Sequence, residues 1–327
     1  MSFFAGTKTR DYEVEKMEIM LQILFLVIGF VLLMKGADYF VEGAAGIADR
    51  LGIPQLIIGL TIVAMGTSLP EAAVSITAAI KGSAEITIGN VVGSNIMNVL
   101  VILGLTAVIC ALPVQKSTVY YEIPFVILIT VLLAGLGLTD HRVSRMEGGI
   151  LWIGMGIYLL YLWQMTKKGK NDEEESDEKQ KSLWLMLIMI VGGAVAITFG
   201  SRVTVNAASK IALIFGMSER FIGLTIVAFG TSLPELVTSV TAGLKGKTDI
   251  AVGNIVGSNI FNILFVVGTT ALISPVTYSA GFLIDSGVAI ATVLFLWLCV
   301  LKKHKLGRMG GLLMLAGYAG YFVYLLQ

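Results

Sequence analysis

The chain repeats itself. GLTIVAMGTSLPE at 59–71 returns as GLTIVAFGTSLPE at 223–235, and GNVVGSNIMN at 89–98 returns as GNIVGSNIFN at 253–262. A constant offset of 164 residues aligns both pairs without a gap and gives 32 identities over the 52 positions from Ile58 to Ile109 against Ile222 to Ile273. This is an internal duplication, so whatever fold the first half adopts must also suit the second.

The solvent of that fold is lipid. Hydrophobic residues make up 56% of the 327 positions and charged ones 14%, with a mean hydropathy of +0.86. Apolar stretches near 19–40, 53–80, 86–112, 120–138 and 145–166 are followed by others near 183–205, 217–244, 250–274, 281–301 and 308–326. Each is long enough to cross about 30 Å of hydrocarbon as a helix. The expected fold is an all-α membrane protein of ten transmembrane helices. Helices 2 and 7 are broken by the Gly and Pro of their GTSLPE motifs, which a membrane tolerates where the opened backbone is enclosed by protein. A polar block, NDEEESDEKQK at 171–181, divides the spans five and five. Five is odd, so the second unit enters from the opposite side, which makes the repeats inverted and puts a shared site near the midplane. The expected organisation is an N-terminal tail (1–18), a first five-helix repeat (19–166), an acidic loop (167–182) and a second repeat (183–327).

Counting basic residues orients the chain. With both termini outside, the inner loops carry 13 Lys and Arg against nine on the outer side, so the acidic loop is placed in the cytoplasm and the protein in the cell membrane. No basic, aromatic-interleaved patch suits nucleic acid, and no obligate protein partner is evident. Cys110 and Cys299 lie in apolar segments without metal-ligand spacing and read as small hydrophobes. His141 and His304 fall in charged loops and read as solvated. Lys35, Asp38 and Glu42 lie three and four residues apart on helix 1, where mutual pairing is expected.

A carboxylate inside a span is costly unless it meets water, a partner or a cation. Glu71 and Glu235 occupy the same place in the two repeats, and no Lys or Arg shares their spans to neutralise them. Thr67 and Glu71 are four residues apart, as are Ser94 and Asn98, so each pair projects from one helix face; Thr231, Glu235, Ser258 and Asn262 repeat the arrangement. Pro70 and Pro234 have no N–H, which frees the carbonyls near Gly66 and Gly230 one turn earlier. The set offers only oxygen donors, the chemistry of hard cations such as calcium. Two carboxylates neutralise one calcium ion, and sodium ions competing for the same charges would give antiport. The GNxxGSN runs lack the Lys-Ser/Thr ending of a phosphate loop and read as small residues for close helix packing.

On these residues the chain resembles the sodium/calcium exchanger family of the calcium/cation antiporter superfamily, in its compact prokaryotic form, whose two alpha repeats carry GTSLPE and GNxxGSNxxN patterns. The resemblance implies a core of eight helices with helices 1 and 6 sliding across it to alternate access. It also implies electrogenic exchange without a cofactor, with calcium and sodium as the transported ions. Position by position, it makes Glu71 and Glu235 calcium ligands together with the carbonyls of Thr67 and Thr231. Ser68, Ser94, Ser232 and Ser258, with the carbonyls of Ala64 and Ala228, would hold sodium, and Asn98 and Asn262 would line the middle site. Asn262 stands where some potassium-dependent relatives have Asp, which argues against potassium coupling. The acidic loop is too short for the calcium-sensing domains of the large animal exchangers. A proton/calcium antiporter is the alternative, since the same glutamates can bind protons, and a passive cation channel is a third reading. The chain is not read as an enzyme, because no nucleophile and base stand together in the spans.

Overall fold

The structure is a computed structural model that describes residues 3–169, 182–217, 226, 228–279 and 281–325. Among the described residues the regular structure is helical apart from four two-residue strands. The helices, in chain order, are α1 (Phe3–Leu51), α2 (Gln55–Thr67), α3 (Leu69–Ile80), α4 (Ile86–Ile109), α5 (Thr118–Asp140), α6 (Arg145–Gly169), α7 (Leu183–Ile214), α8 (Ala228–Thr231), α9 (Leu233–Leu244), α10 (Thr248–Ile273), α11 (Gly281–Leu301) and α12 (Arg308–Leu325). Among the described residues seven helices are long and apolar enough to cross a membrane, and α2 with α3 forms an eighth candidate bent by 47°. The chain is thus a multi-pass, all-α membrane protein.

One expected boundary differs, and another lies partly outside the described residues. The first span lies inside a longer helix that begins at Phe3 and takes in most of the expected tail, no proline standing before Pro54 to stop it. The seventh span is described only as α8 and α9, because residues 218–225 and 227 lie outside the described residues. The breaks themselves have a common form. Ser68 (φ −84°, ψ 6°) separates α2 from α3, and Ser232 (φ −89°, ψ 2°) separates α8 from α9. Both serines sit in the sparsely populated bridge region that many site residues adopt, and each is followed by Leu-Pro at the start of the next helix, where proline's missing N–H costs nothing.

Burial ranks the helices. The most apolar stretch of α10 is 94% buried and that of α4 72%, against 17% for α1 and 28% for α7. The two helices carrying GNxxGSN are therefore the centre, while α1 and α7 pack on each other at its side. Glycine makes the inner contacts of α10 possible, as expected of its GNxxGSN run, whereas on α4 a Cβ on Gly93 would meet nothing within 4 Å and one on Gly89 only the Phe282 ring. A Cβ on Gly257 would stand 2.7 Å from the Leu60 carbonyl and one on Gly253 2.9 Å from that of Leu56, so only glycine lets α10 lie against α2. The α1–α7 contact uses the same device: Gly29 meets Gly200, and Gly36 meets Gly193, backbone to backbone.

The contacts exchange the halves reciprocally. Gly36 and Gly200 are counterparts in the repeat, as are Gly29 and Gly193. Strand β1 (Leu112–Pro113) pairs antiparallel with β4 (Lys305–Leu306), and β2 (Arg142–Val143) with β3 (Val276–Thr277). The first ribbon precedes α5 and the second follows it, so the two are held at opposite ends of a helix of 23 residues, about 34 Å long at 1.5 Å per residue.

One member of the expected group on α1, Asp38, pairs differently from expectation. Asp38 meets Lys245, after α9 in the other half, with Nζ 3.1 Å from Oδ1 and donating to the Asp38 carbonyl at 3.2 Å. A tertiary partner wins over the helical neighbour because packing brings Lys245 to that face. His141 and His304 both hold left-handed turns, with φ of 53° and 47°. His141 is exposed, but His304 is half-buried against the Tyr120 ring. Cys110 and Cys299 are free thiols, each partly buried.

Candidate ion-binding site

The two GTSLPE turns face one another in the buried centre. Glu71, in the first turn of α3, is 1% exposed, and Glu235, in the first turn of α9, is fully buried. Their carboxyls are close enough to repel one another, and the Thr231 and Ser232 side chains stand beside that of Glu71. In the converse arrangement, the Ser68 hydroxyl donates to Glu235 Oε1 at 2.9 Å, with Thr67 also beside that carboxyl. Each glutamate is thus flanked by hydroxyls from the opposite repeat.

The amides continue the exchange. Asn98 Nδ2 donates to Asn259 Oδ1 at 2.9 Å, and Asn262 Nδ2 to Asn95 Oδ1 at 3.1 Å. Asn95 Nδ2 donates to the Asn259 carbonyl at 3.2 Å, while Asn259 Nδ2 returns a longer bond to the Asn95 carbonyl at 3.4 Å. Asn98 and Asn262 thus donate through their amide nitrogens, and their amide oxygens remain free. The second oxygen of each glutamate is also free, so Glu71 Oε2, Glu235 Oε2, Asn98 Oδ1 and Asn262 Oδ1 are buried without a hydrogen-bond partner, as is Ser232 Oγ. Buried acceptors are nearly always satisfied. Carboxylate and amide oxygens left in this way are of the type that an oxygen-coordinated cation takes as ligands. Among the described residues no group of three or more His, Cys, Asp and Glu gathers, which leaves the two carboxyls with hydroxyl and amide company alone.

Of the remaining expected positions, Thr67, Ala64 and Ser258 are joined to these groups by hydrogen bonds. Thr67 Oγ1 lies 3.0 Å from Asn254 Oδ1 and 3.1 Å from the Val63 carbonyl. The Ala64 carbonyl receives Ser258 Oγ at 3.4 Å and the Ser68 N–H at 3.1 Å. Ser94 is buried on α4, and Ala228 opens α8. One freed carbonyl behaves differently from expectation: that of Gly230, released by Pro234, accepts a 2.7 Å hydrogen bond from Ser201 on α7. A hydroxyl from the packing helix satisfies it. The first repeat has Ala37 at the matching position and cannot do the same. A cavity of about 570 Å³ lies between α3 and α7 and runs from the exposed Lys81 and Arg202 to Gly230 and Thr231.

Four residues that support the site escaped the motif reading. Asn90 Nδ2 donates to Ser75 Oγ (2.9 Å) and to the Glu71 carbonyl (3.2 Å); Asn254 Nδ2 donates to Ser239 Oγ (2.9 Å) and to the Glu235 carbonyl (3.4 Å). These pairs fasten the first turn of each glutamate helix to the central helices. The signal was present, since all four recur at the offset of 164.

Comparison with known proteins agrees with this architecture. The family described as "Sodium/calcium exchanger protein" matches residues 21–164 and 185–327. "Putative antiporter CaxA" of Alkalimonas amylolytica is 42% identical over 91% of this chain and 96% of its own, and "Sodium/calcium exchanger MaX1" of Methanosarcina acetivorans is 30% identical over 94% and 99%. A solved structure of the sodium-calcium exchanger NCX_Mj, soaked with 10 mM Na+ and zero Ca2+, superposes with a TM-score of 0.80 at 32% identity, covering 92% of this chain and 97% of that one. With the duplicated motif on two broken helices and a full-length match on both sequence and fold, this chain belongs to the sodium/calcium exchanger family of membrane antiporters, which are transporters and not enzymes.

Proposed function

We propose that the protein exchanges sodium for calcium across the cell membrane by alternating access, moving more than two sodium ions per calcium and hence electrogenically. The observation that carries this reading is the set of four unpartnered, buried oxygens on Glu71, Glu235, Asn98 and Asn262. Two carboxylates balance one calcium ion, and sodium ions competing for the same charges give antiport, which is obligatory when the two ions exclude one another and only occupied forms switch access.

In this reading Glu71 and Glu235, with the carbonyls of Thr67 and Thr231, hold calcium. Ser68, Ser94, Ser232 and Ser258, with the carbonyls of Ala64 and Ala228, hold sodium, and the two asparagines line the middle. The repeats are inverted five-helix units making ten spans, with termini outside and residues 167–182 in the cytoplasm. Support for the inversion comes from the β1–β4 and β2–β3 ribbons. They exchange under the repeat and lie at opposite ends of α5, so the operation relating the halves swaps the ends of the helices.

The test is sodium-driven calcium uptake into vesicles by the native protein and by Glu71→Gln and Glu235→Gln. Losing one charge leaves a buried divalent ion half-neutralised, and each variant is expected to lose at least about tenfold in uptake, equivalent to about 1.4 kcal/mol. Native transport by either one would rule out a two-carboxylate site.

A further inference from the structure

A third buried carboxylate lies outside the transport core. Glu122, at the end of a π-helical turn (Thr118–Glu122) that opens α5, is 1% exposed. The Tyr161 hydroxyl of α6 donates to its Oε1. Its Oε2 has no hydrogen-bond partner, and the hydroxyls of Ser117 and Thr118 beside it are also unpartnered. Glu122 lines a cavity of about 370 Å³ between α5 and α6, walled by Tyr120, Tyr121, Phe125, Tyr158 and Tyr161 and continued by Leu128 and Ile157. Phe125 and Tyr158 stack at 5.9 Å, and Tyr121 lies 6.4 Å from Tyr161. Among the described residues no lysine or arginine lines the cavity; Lys167, further along α6, is engaged over the Trp163 ring at 3.7 Å.

A carboxylate with one oxygen unpartnered at the base of an apolar, aromatic-walled cavity is expensive. The volume is that of a small-molecule site and far exceeds a bare metal ion, while aromatic faces attract cations within about 6 Å. The geometry points to a binding site for an organic cation of the ammonium or guanidinium class, its charged head on Glu122 Oε2 and its apolar part along Phe125, Leu128 and Ile157. The site is separate from the exchange centre and does not depend on the ions transported there. The same head group chemistry is offered by a soluble aromatic cation and by the ethanolamine of a membrane lipid.

The test uses the full chain in detergent, titrated with phenylguanidine and with its neutral isostere phenylurea, and reads the melting temperature. Phenylguanidine is expected to raise it saturably and phenylurea not to. Glu122→Gln should shift the half-maximal concentration upward at least about tenfold, the scale of one lost charge-assisted contact. Ile157→Trp, which fills the cavity and leaves the carboxyl in place, should abolish the response even where Glu122→Gln fails to fold. Native mass spectrometry from phosphatidylethanolamine and phosphatidylglycerol discs separates the sources. Selective, Glu122-dependent retention of phosphatidylethanolamine identifies a lipid head group, and a phenylguanidine response without it identifies a soluble cation. Equal responses to phenylguanidine and phenylurea, an undiminished response in both variants, or no response at all would overturn the site.

Discussion

Gly192 and Gly193 are neighbours on α7, and replacing each with alanine should have opposite consequences. A Cβ on Gly192 meets nothing within 4 Å; one on Gly193 stands 2.7 Å from the Gly36 carbonyl oxygen, 2.8 Å from the Phe40 nitrogen and 2.9 Å from its Cα. All three obstacles are backbone, so no side chain can rotate away. Restoring ordinary contact at about 3.5 Å requires α1 and α7 to part by nearly 1 Å along their shared face. Both substitutions gain about 1 kcal/mol of helix propensity. Overpacking against a rigid neighbour costs about 3 kcal/mol, the upper end of its usual range. The expected result is that Gly192→Ala is neutral or slightly stabilising, while Gly193→Ala loses about 2 kcal/mol net, roughly a thirtyfold change in the folded-to-unfolded ratio. Equilibrium unfolding of the two variants in one detergent measures the difference. Equal stability of the two would show that the close approach of α1 and α7 is not what these glycines provide.

Ser68→Ala removes the hydrogen bond to Glu235 Oε1 and leaves a second buried carboxylate oxygen unsatisfied, so the unfolding free energy in chemical unfolding should fall by about 1.5 kcal/mol, the scale of a bond to a charged group. Ser201→Ala frees the Gly230 carbonyl and should lower the unfolding free energy by about 1 kcal/mol, whereas the counterpart of Ser201 in the first repeat is already Ala37 and offers no such contact to remove. Lys245→Ala breaks an ion pair whose side chains are 35% and 41% exposed, so a stability change below about 1 kcal/mol is expected, and a larger loss in chemical unfolding would show a role beyond that pair.

What could be read from the residues was what the duplication stated twice. Glu71 and Glu235 stood out because two unneutralised carboxylates share one place in the repeat, and both lie in the buried centre. Pro70 and Pro234 marked the breaks, and the bend at Ser68 follows. Partner choice was harder to read, because it depends on which helix faces meet. Asn90 and Asn254 were visible as repeated residues, yet nothing local says that their amides hold the glutamate turns. Asp38 finds Lys245 through tertiary packing, which helical spacing cannot register. The fate of the Gly230 carbonyl turned on Ser201, 29 residues earlier on another helix. Glu122 has no carboxylate counterpart in the second repeat, where Ser286 stands, so an argument from duplication passes over it. The two-residue strands are too short to show any alternation.

The most direct test of the account is calcium uptake by the native protein reconstituted in vesicles, with internal sodium varied at clamped pH and then the proton gradient varied at fixed sodium. Uptake should rise with the outward sodium gradient, vanish when internal sodium is removed, and ignore the proton gradient. Uptake that follows the proton gradient and disregards sodium would contradict sodium/calcium exchange at the paired glutamates.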